Sequence, residues 1–162
     1  MEQTTRLFEQ LQCCTQENAE WSSLYDAFVG RLTLLETGHS APEAGADFPD
    51  MVLPDHQGKY RSLADLRAEG PLVISFIRGG WCPWCRKELE SWRDALAALD
   101  AAGGRLVVIV GEVAGRADLI AGMLGSQAVV LCDIDHGAAL NLELAFHAGT
   151  ELLQRYLAVF EA

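Results

Sequence analysis

The sequence predicts an α/β fold, a parallel βαβαβ core preceded by a β-hairpin and a helical arm. Three observations carry this expectation. The apolar runs Leu72–Ile77, Leu106–Val110 and Ala128–Leu131 are of strand length and mostly β-branched or aliphatic, as expected of strands buried on both faces of a parallel sheet. Helical patterns separate them: Leu89, Trp92, Leu96 and Leu99 share one face after the first run, and residues 114–124 follow the second. Strand, helix, strand, helix, strand in that order builds a parallel unit with right-handed crossovers.

In chain order, Leu7, Leu11, Trp21, Leu24, Phe28, Leu32 and Leu35 recur at helical spacings between residues 5 and 36. Gln16-Glu17-Asn18 breaks the pattern, which predicts two helices, and Gly38 is a plausible stop. The segment His39–Gly45, with Ser, Pro, Gly and Ala, has linker composition. The expected division is therefore a helical arm and linker, residues 1–44, and a domain, residues 45–162. An arm this apolar is expected to cover core surface or to pair with a second copy. Phe48–Leu53 and Lys59–Arg61 flank Pro54-Asp55-His56-Gln57-Gly58, whose turn chemistry predicts a hairpin. Ser62 is placed to cap a short helix through Leu66, with Asp65 in its first turn, and Pro71 ends that segment. Gly103-Gly104 closes the helix expected over Cys82–Ala101. Beyond the third strand, Asp135 is expected to cap a helix over residues 137–146, and residues 149–161 read as a last helix.

Composition narrows the function. A chain of 162 residues, half of them hydrophobic, can bury a full-sized core plus an appendage. The net charge of −11, with only two lysines, argues against nucleic acid or an anionic membrane surface as a partner. The apolar runs fall far short of the ~20 residues that span a membrane. Met1–Arg6 leads into no apolar stretch, so no secretory signal is expected, and the expected location is cytoplasmic. The five cysteines are Cys13, Cys14, Cys82, Cys85 and Cys132. In such a chain a single C-x-x-C near a βαβ pattern reads as a redox motif rather than a disulfide scaffold. Cys13 and Cys14 are expected to be ordinary helix cysteines, and Cys132 a buried strand residue.

The chemistry concentrates where the first apolar strand turns into a helix, at Arg78-Gly79-Gly80-Trp81-Cys82-Pro83-Trp84-Cys85-Arg86-Lys87-Glu88-Leu89. Pro83 suits the first helical position, which makes Cys82 the N-cap. A Cys82 thiolate there is expected to accept hydrogen bonds from the free N–H groups of the first turn, at the positive end of the helix dipole. Arg78, Arg86 and Lys87 add positive potential if they turn toward it. Such surroundings lower a thiol pKa from ~8.5 toward ~3.5–7.5. Cys85 lies four residues before Leu89, on the sheet-facing side, so it is expected to be more buried and less ionised. An exposed Cys82 thiolate beside a buried Cys85 thiol is the layout disulfide exchange needs: the first attacks and the second resolves. Two other readings stay open, a pair of reduced structural cysteines and half of a zinc site. Gly79-Gly80, with no Gly-Lys-Ser/Thr after it, reads as a tight bend rather than a phosphate cradle. Cys132, Asp133 and His136 lack metal-ligand spacing. His39, His56 and His147 show no partner signal and read as surface or loop residues.

The segment Phe76–Leu89 resembles the active-site segment of the peroxiredoxin-like branch of the alkyl hydroperoxide reductase / thiol-specific antioxidant family. Ala46-Asp47-Phe48, Leu53–Lys59 and Ser62–Leu66 are similar to the same family, so the likeness runs from about Gly45 to the C-terminus. The resemblance implies a thioredoxin-like three-layer fold. It also implies a thiol–disulfide oxidoreductase, or a thiol-dependent peroxidase-like antioxidant enzyme, using a Cys82–Cys85 dithiol. Arg78, Gly79, Gly80, Trp81, Pro83, Trp84, Arg86 and Glu88 would support that pair. No metal, flavin or nucleotide cofactor is needed. The implied partners are a thiol reductant, such as a thioredoxin or glutathione system, and a peroxide or protein disulfide as substrate.

Two features of such folds are absent from the sequence. No proline follows Pro83, so there is none to serve as the cis-proline before a late strand, and only Arg155 follows Arg116 to act as a late activating arginine. The chain ends in helical sequence, so the C-terminal strands of the fold are expected to be missing. The sheet edge left open is expected to be covered by a homodimer or by the N-terminal helices. By its place before Arg86-Lys87-Glu88, Cys85 matches the peroxide-attacking cysteine of peroxiredoxins, with Cys82 where they carry threonine. Thioredoxin logic and the N-cap argument make Cys82 the nucleophile instead. The rival reading is a catalytically impaired thioredoxin-fold protein that serves as a binding or assembly unit.

Overall fold

The three apolar runs form one parallel sheet. In the computed structural model, which describes residues 19–160, β3 (Leu72–Ile77), β4 (Arg105–Val110) and β5 (Ala128–Cys132) lie in the order β3-β4-β5. Leu72 pairs with Arg105 and Ile77 with Val110; Leu106 pairs with Ala128 and Val110 with Cys132. The crossovers are the helices α3 (Pro83–Ala101) and α4 (Gly115–Leu124). Alternation along β4 sorts its side chains to two faces. Leu106, Val108 and Val110 pack with Leu89 and Leu96 of α3 and Ala117, Ile120 and Leu124 of α4. Val107 and Ile109 pack with Leu131 and with Leu63 and Leu66 of α2 (Leu63–Ala68). Helices on one face, the sheet, and α2 with the hairpin on the other give the three layers of a thioredoxin-like fold.

The hairpin joins β1 (Val52–Pro54) to β2 (Tyr60–Ser62). Its turn is organised by Asp55, whose Oδ1 accepts the amides of Gln57 (3.0 Å) and Lys59 (2.9 Å). An isolated antiparallel bridge from Asp55 to Leu131, and a hydrogen bond from the His56 amide to the Val130 carbonyl, lay this turn along the outer side of β5. Ser62 caps α2 as expected, its Oγ accepting from the Asp65 amide.

Among the described residues only β4 pairs with β3, which is an edge strand. An apolar run reads alike whether one neighbour or two flank it, because side-chain burial comes from the faces and not from the edge. The helix expected over 137–146 is only α5 (Gly137–Asn141), followed by Glu143 at φ +54°. It is Asp133, buried, that holds its start, accepting the amides of Ala138 and Ala139 at 3.0 Å each, while Asp135 accepts only from Gly137. His56 and His147 do have partners: His56 Nδ1 lies 2.9 Å from Asp118 Oδ1, and His147 Nδ1 accepts from the Gly149 amide.

The chain forms two compact units, Pro42–Asn141 and a second one made of Met1–Ala41 with Leu142–Ala162. Within the second, α1 (Ala19–Leu34) meets α6 (Thr150–Phe160) and the segment before it. Phe28 packs on Phe146, Arg155 lies over the Trp21 ring, and Arg31 Nη2 donates to the Ala148 carbonyl at 2.6 Å. The first of the two expected N-terminal helices, with Cys13 and Cys14, lies outside the described residues.

Candidate redox site

β3 delivers its chain end at Ile77, and Arg78–Trp81 turn it into α3. Gly79 makes the bend at φ +148°, a conformation that favours glycine. A Cβ there would stand 2.5 Å from Trp81 Nε1 and 3.0 Å from the Glu112 carboxyl carbon, so the Trp81 ring folds back over the bend only because Gly79 has no side chain. Cys82 is the N-cap of α3, in extended conformation, and Pro83 occupies the first turn. Its amide donates to the Gly79 carbonyl (3.1 Å), which closes the turn.

Two expectations about Cys82 are corrected here. Its sulfur makes no capping hydrogen bond to the first turn, and the residue is fully buried rather than exposed. The side chain turns inward to join the core cluster of Ile77, Cys85 and Leu89. The partner the sulfur gains instead is the Arg78 guanidinium, whose Nη2 lies 2.8 Å from Cys82 Sγ. Arg78 also lies over the Trp81 ring, 5.5 Å from its centroid.

Cys85, one turn on, is buried against the sheet. Its sulfur accepts the Arg78 amide at 3.3 Å. Burial pushes the Cys85 thiol above its ordinary value, and the Cys82 sulfur adds to the effect; the Arg78 amide works in the opposite direction. Both cysteines are free thiols.

The remaining expected residues fall around this pair. Trp84 packs half-buried against the core, while Pro83, Arg86 and Lys87 lie exposed on α3. Glu88 ties the helix to the sheet, since its Oε1 accepts from Ser75 Oγ at 2.5 Å and from Trp92 Nε1 at 3.4 Å. One residue escaped the sequence reading. Glu112, buried just beyond the end of β4, accepts the Gly80 amide on Oε2 at 2.6 Å. A carboxylate two residues past an apolar strand was its only signal. Cys132 ends β5 and is buried, its thiol pushed up by burial and then by the charges of Asp55 and Asp118. Among the described residues no group of three or more His, Cys, Asp or Glu side chains is placed to hold a metal ion.

A thiol pair at the junction of a parallel strand and the following helix, in three layers, defines a protein of thioredoxin-like fold. Residues 44–161 match the AhpC/TSA family, and the chain belongs to it. Over 92 residues it is 32% identical to the thiol-disulfide oxidoreductase ResA of Bacillus subtilis (strain 168), a match covering 56% of this chain and 46% of that protein. The crystal structure of peroxidoxin BcpB from Mycobacterium tuberculosis superposes with a TM-score of 0.56 at 26% identity, over 60% of this chain and 64% of that one. The thioredoxin domain of a thiol-disulfide oxidoreductase from Bacteroides vulgatus gives 0.51 at 21% identity, over 66% and 77%, a likeness of fold alone. The chain thus spans about half of its curated relative and under two thirds of the peroxidoxin. Among the described residues no helix is long and apolar enough to cross a membrane.

Proposed function

We propose that this chain is a thiol–disulfide oxidoreductase whose Cys82 and Cys85 cycle between dithiol and disulfide, with Cys82 attacking and Cys85 resolving. The observation that carries the reading is the pairing of roles at the two sulfurs. Cys82 has a guanidinium 2.8 Å away to balance a developing thiolate, while burial holds the proton on Cys85. With a disulfide substrate, the Cys82 thiolate attacks one sulfur, a mixed disulfide forms, and the other sulfur leaves as thiolate. Cys85, deprotonated, then attacks Cys82 Sγ, forming the Cys82–Cys85 bond and releasing the second substrate thiol. With a hydroperoxide, Cys82 takes the terminal oxygen to become a sulfenic acid, an alcohol leaves, and condensation with Cys85 yields the disulfide and water. Either route stores two electrons' worth of oxidation, which a thioredoxin- or glutathione-type reductant removes in a reducing compartment such as the cytoplasm. No metal, flavin or nucleotide enters either step.

Limiting iodoacetamide followed by mass spectrometry tests the assignment: Cys82 is expected to label first, and predominant labelling of Cys85 would overturn it. Insulin reduction and peroxide consumption, each with Cys82→Ser and Cys85→Ser controls, separate the two substrates. The full burial of Cys82 favours a second reading, a catalytically impaired unit that binds or assembles, because a substrate reaches the sulfur only after its cover moves. On that reading both assays stay at background and the pair resists mild oxidation.

A further inference from the structure

We infer that Glu112 is a positioning residue for the resolving half of the exchange: by gripping the Gly80 amide it fixes the bend that aims the Arg78 amide at the Cys85 sulfur. The inference rests on the exchange reading proposed above.

The geometry is a short chain of contacts. Glu112 Oε2 accepts from Gly80 N at 2.6 Å, and Glu112 Oε1 stands 3.8 Å from Arg116 Nη1. The glutamate is buried, while Arg116 is exposed, so the first oxygen is committed to the bend and the second faces the wetter side. Gly79 gives room for this approach, since any Cβ there would press on the Glu112 carboxyl carbon. Rotation of the Gly79–Gly80 peptide is what Glu112 prevents. That same bend carries the Arg78 amide, 3.3 Å from Cys85 Sγ, and the Gly79 carbonyl that takes the Cys82 amide. An amide aimed at a sulfur stabilises its thiolate, the species that must form before Cys85 can attack Cys82. It opposes the burial and the neighbouring Cys82 that hold the proton on Cys85. Arg78 reaches Cys82, and Glu88 of α3 is engaged by Ser75 and Trp92.

The test compares Glu112→Ala, which removes the acceptor, with Glu112→Gln, which keeps an oxygen for Gly80 but no charge. Both are read in the full chain after circular dichroism shows a wild-type fold. Thiolate absorbance and alkylation of each cysteine against pH are the readouts, together with the lifetime of a mixed disulfide made with a small aromatic disulfide. In Glu112→Ala the Cys85 titration is expected to move up by about one unit and resolution to slow roughly tenfold, the scale of one lost charge-assisted hydrogen bond. Cys82 labelling at neutral pH should stay within about twofold, and Glu112→Gln should recover most of the wild-type behaviour. A wild-type Cys85 profile in a folded Glu112→Ala variant overturns the inference, as does a Glu112→Gln profile displaced as far as that of Glu112→Ala. Because the titration needs no turnover, it stands even if the pair proves unable to form a disulfide, a result that would sink the exchange reading alone.

Discussion

Arg78 puts a permanent positive charge 2.8 Å from the Cys82 sulfur, a turn inward that the sequence left conditional, while the first-turn amides make no bond to it. Hydrogen bonds from a charged donor are worth ~1.5–3 kcal/mol, so Arg78→Ala is expected to slow alkylation of Cys82 at neutral pH by roughly tenfold or more. Arg78→Lys should recover part of that, since an ammonium supplies charge without the planar fork. Unchanged alkylation in Arg78→Ala would remove the guanidinium from the mechanism. Which residue sits at the N-cap was legible, because Pro83 marks the first helical turn from its covalent structure alone. Where the Cys82 side chain points was not, because its rotamer is set by the packing of Ile77, Cys85 and Leu89 and by the approach of Arg78. Glu112 was illegible for a related reason: it reaches Gly80 only through the pairing of β3 with β4.

Among elements, the strands were the most legible, since Leu72–Ile77 and Arg105–Val110 are short apolar runs bounded by Pro71, Gly104 and Gly111. Position in the sheet was harder to read. Among the described residues β3 pairs on one side only, and Leu72 and Ile74 on one of its faces line a cavity of about 480 Å³ with Phe48, Leu63, Arg67 and Pro71. An unpaired edge with apolar flanks attracts another strand. We propose that a second copy of the chain meets this edge, and that light scattering behind a sizing column returns twice the 17.6 kDa of one chain. A clean monomer at micromolar concentration would rule out this pairing. Helix ends were legible where a side chain advertises them, as at Ser62, and were misjudged at α5, where Asp133 reaches over Asp135 to take the amides of Ala138 and Ala139.

For the whole molecule, the pKa shifts set how stability depends on pH. Cys85 and Cys132 both titrate above the ordinary thiol value of 9.0, so the folded chain keeps two protons that the unfolded chain releases. That contribution is complete below pH 9.0 and is lost as pH rises beyond it. The denaturation midpoint of the reduced protein is therefore expected to fall as pH rises past 9.0, less steeply in Cys132→Val; a flat midpoint would contradict the burial of both thiols. Asp55 has the opposite sign. Burial pushes its carboxyl up, but the amides of Lys59 and Gln57 together with Arg61 outweigh it and hold it below 3.8, so its contribution is lost as pH falls under that value. The overall architecture was legible because its order of elements admits few topologies. The grouping of Leu142–Ala162 with the N-terminal helix region was not, since contacts between distant segments leave no local pattern.

The bond between Glu112 and Gly80 spans 32 residues of chain, and its partner strands meet only when residues 105–110 lie along residues 72–77. Before that meeting the Gly80 amide has no carboxylate to hold it. The clamp under the thiol pair closes only when β3 zips onto β4, so a chain caught half-made or half-unfolded lacks the anchored turn that a finished one keeps beneath its sulfurs.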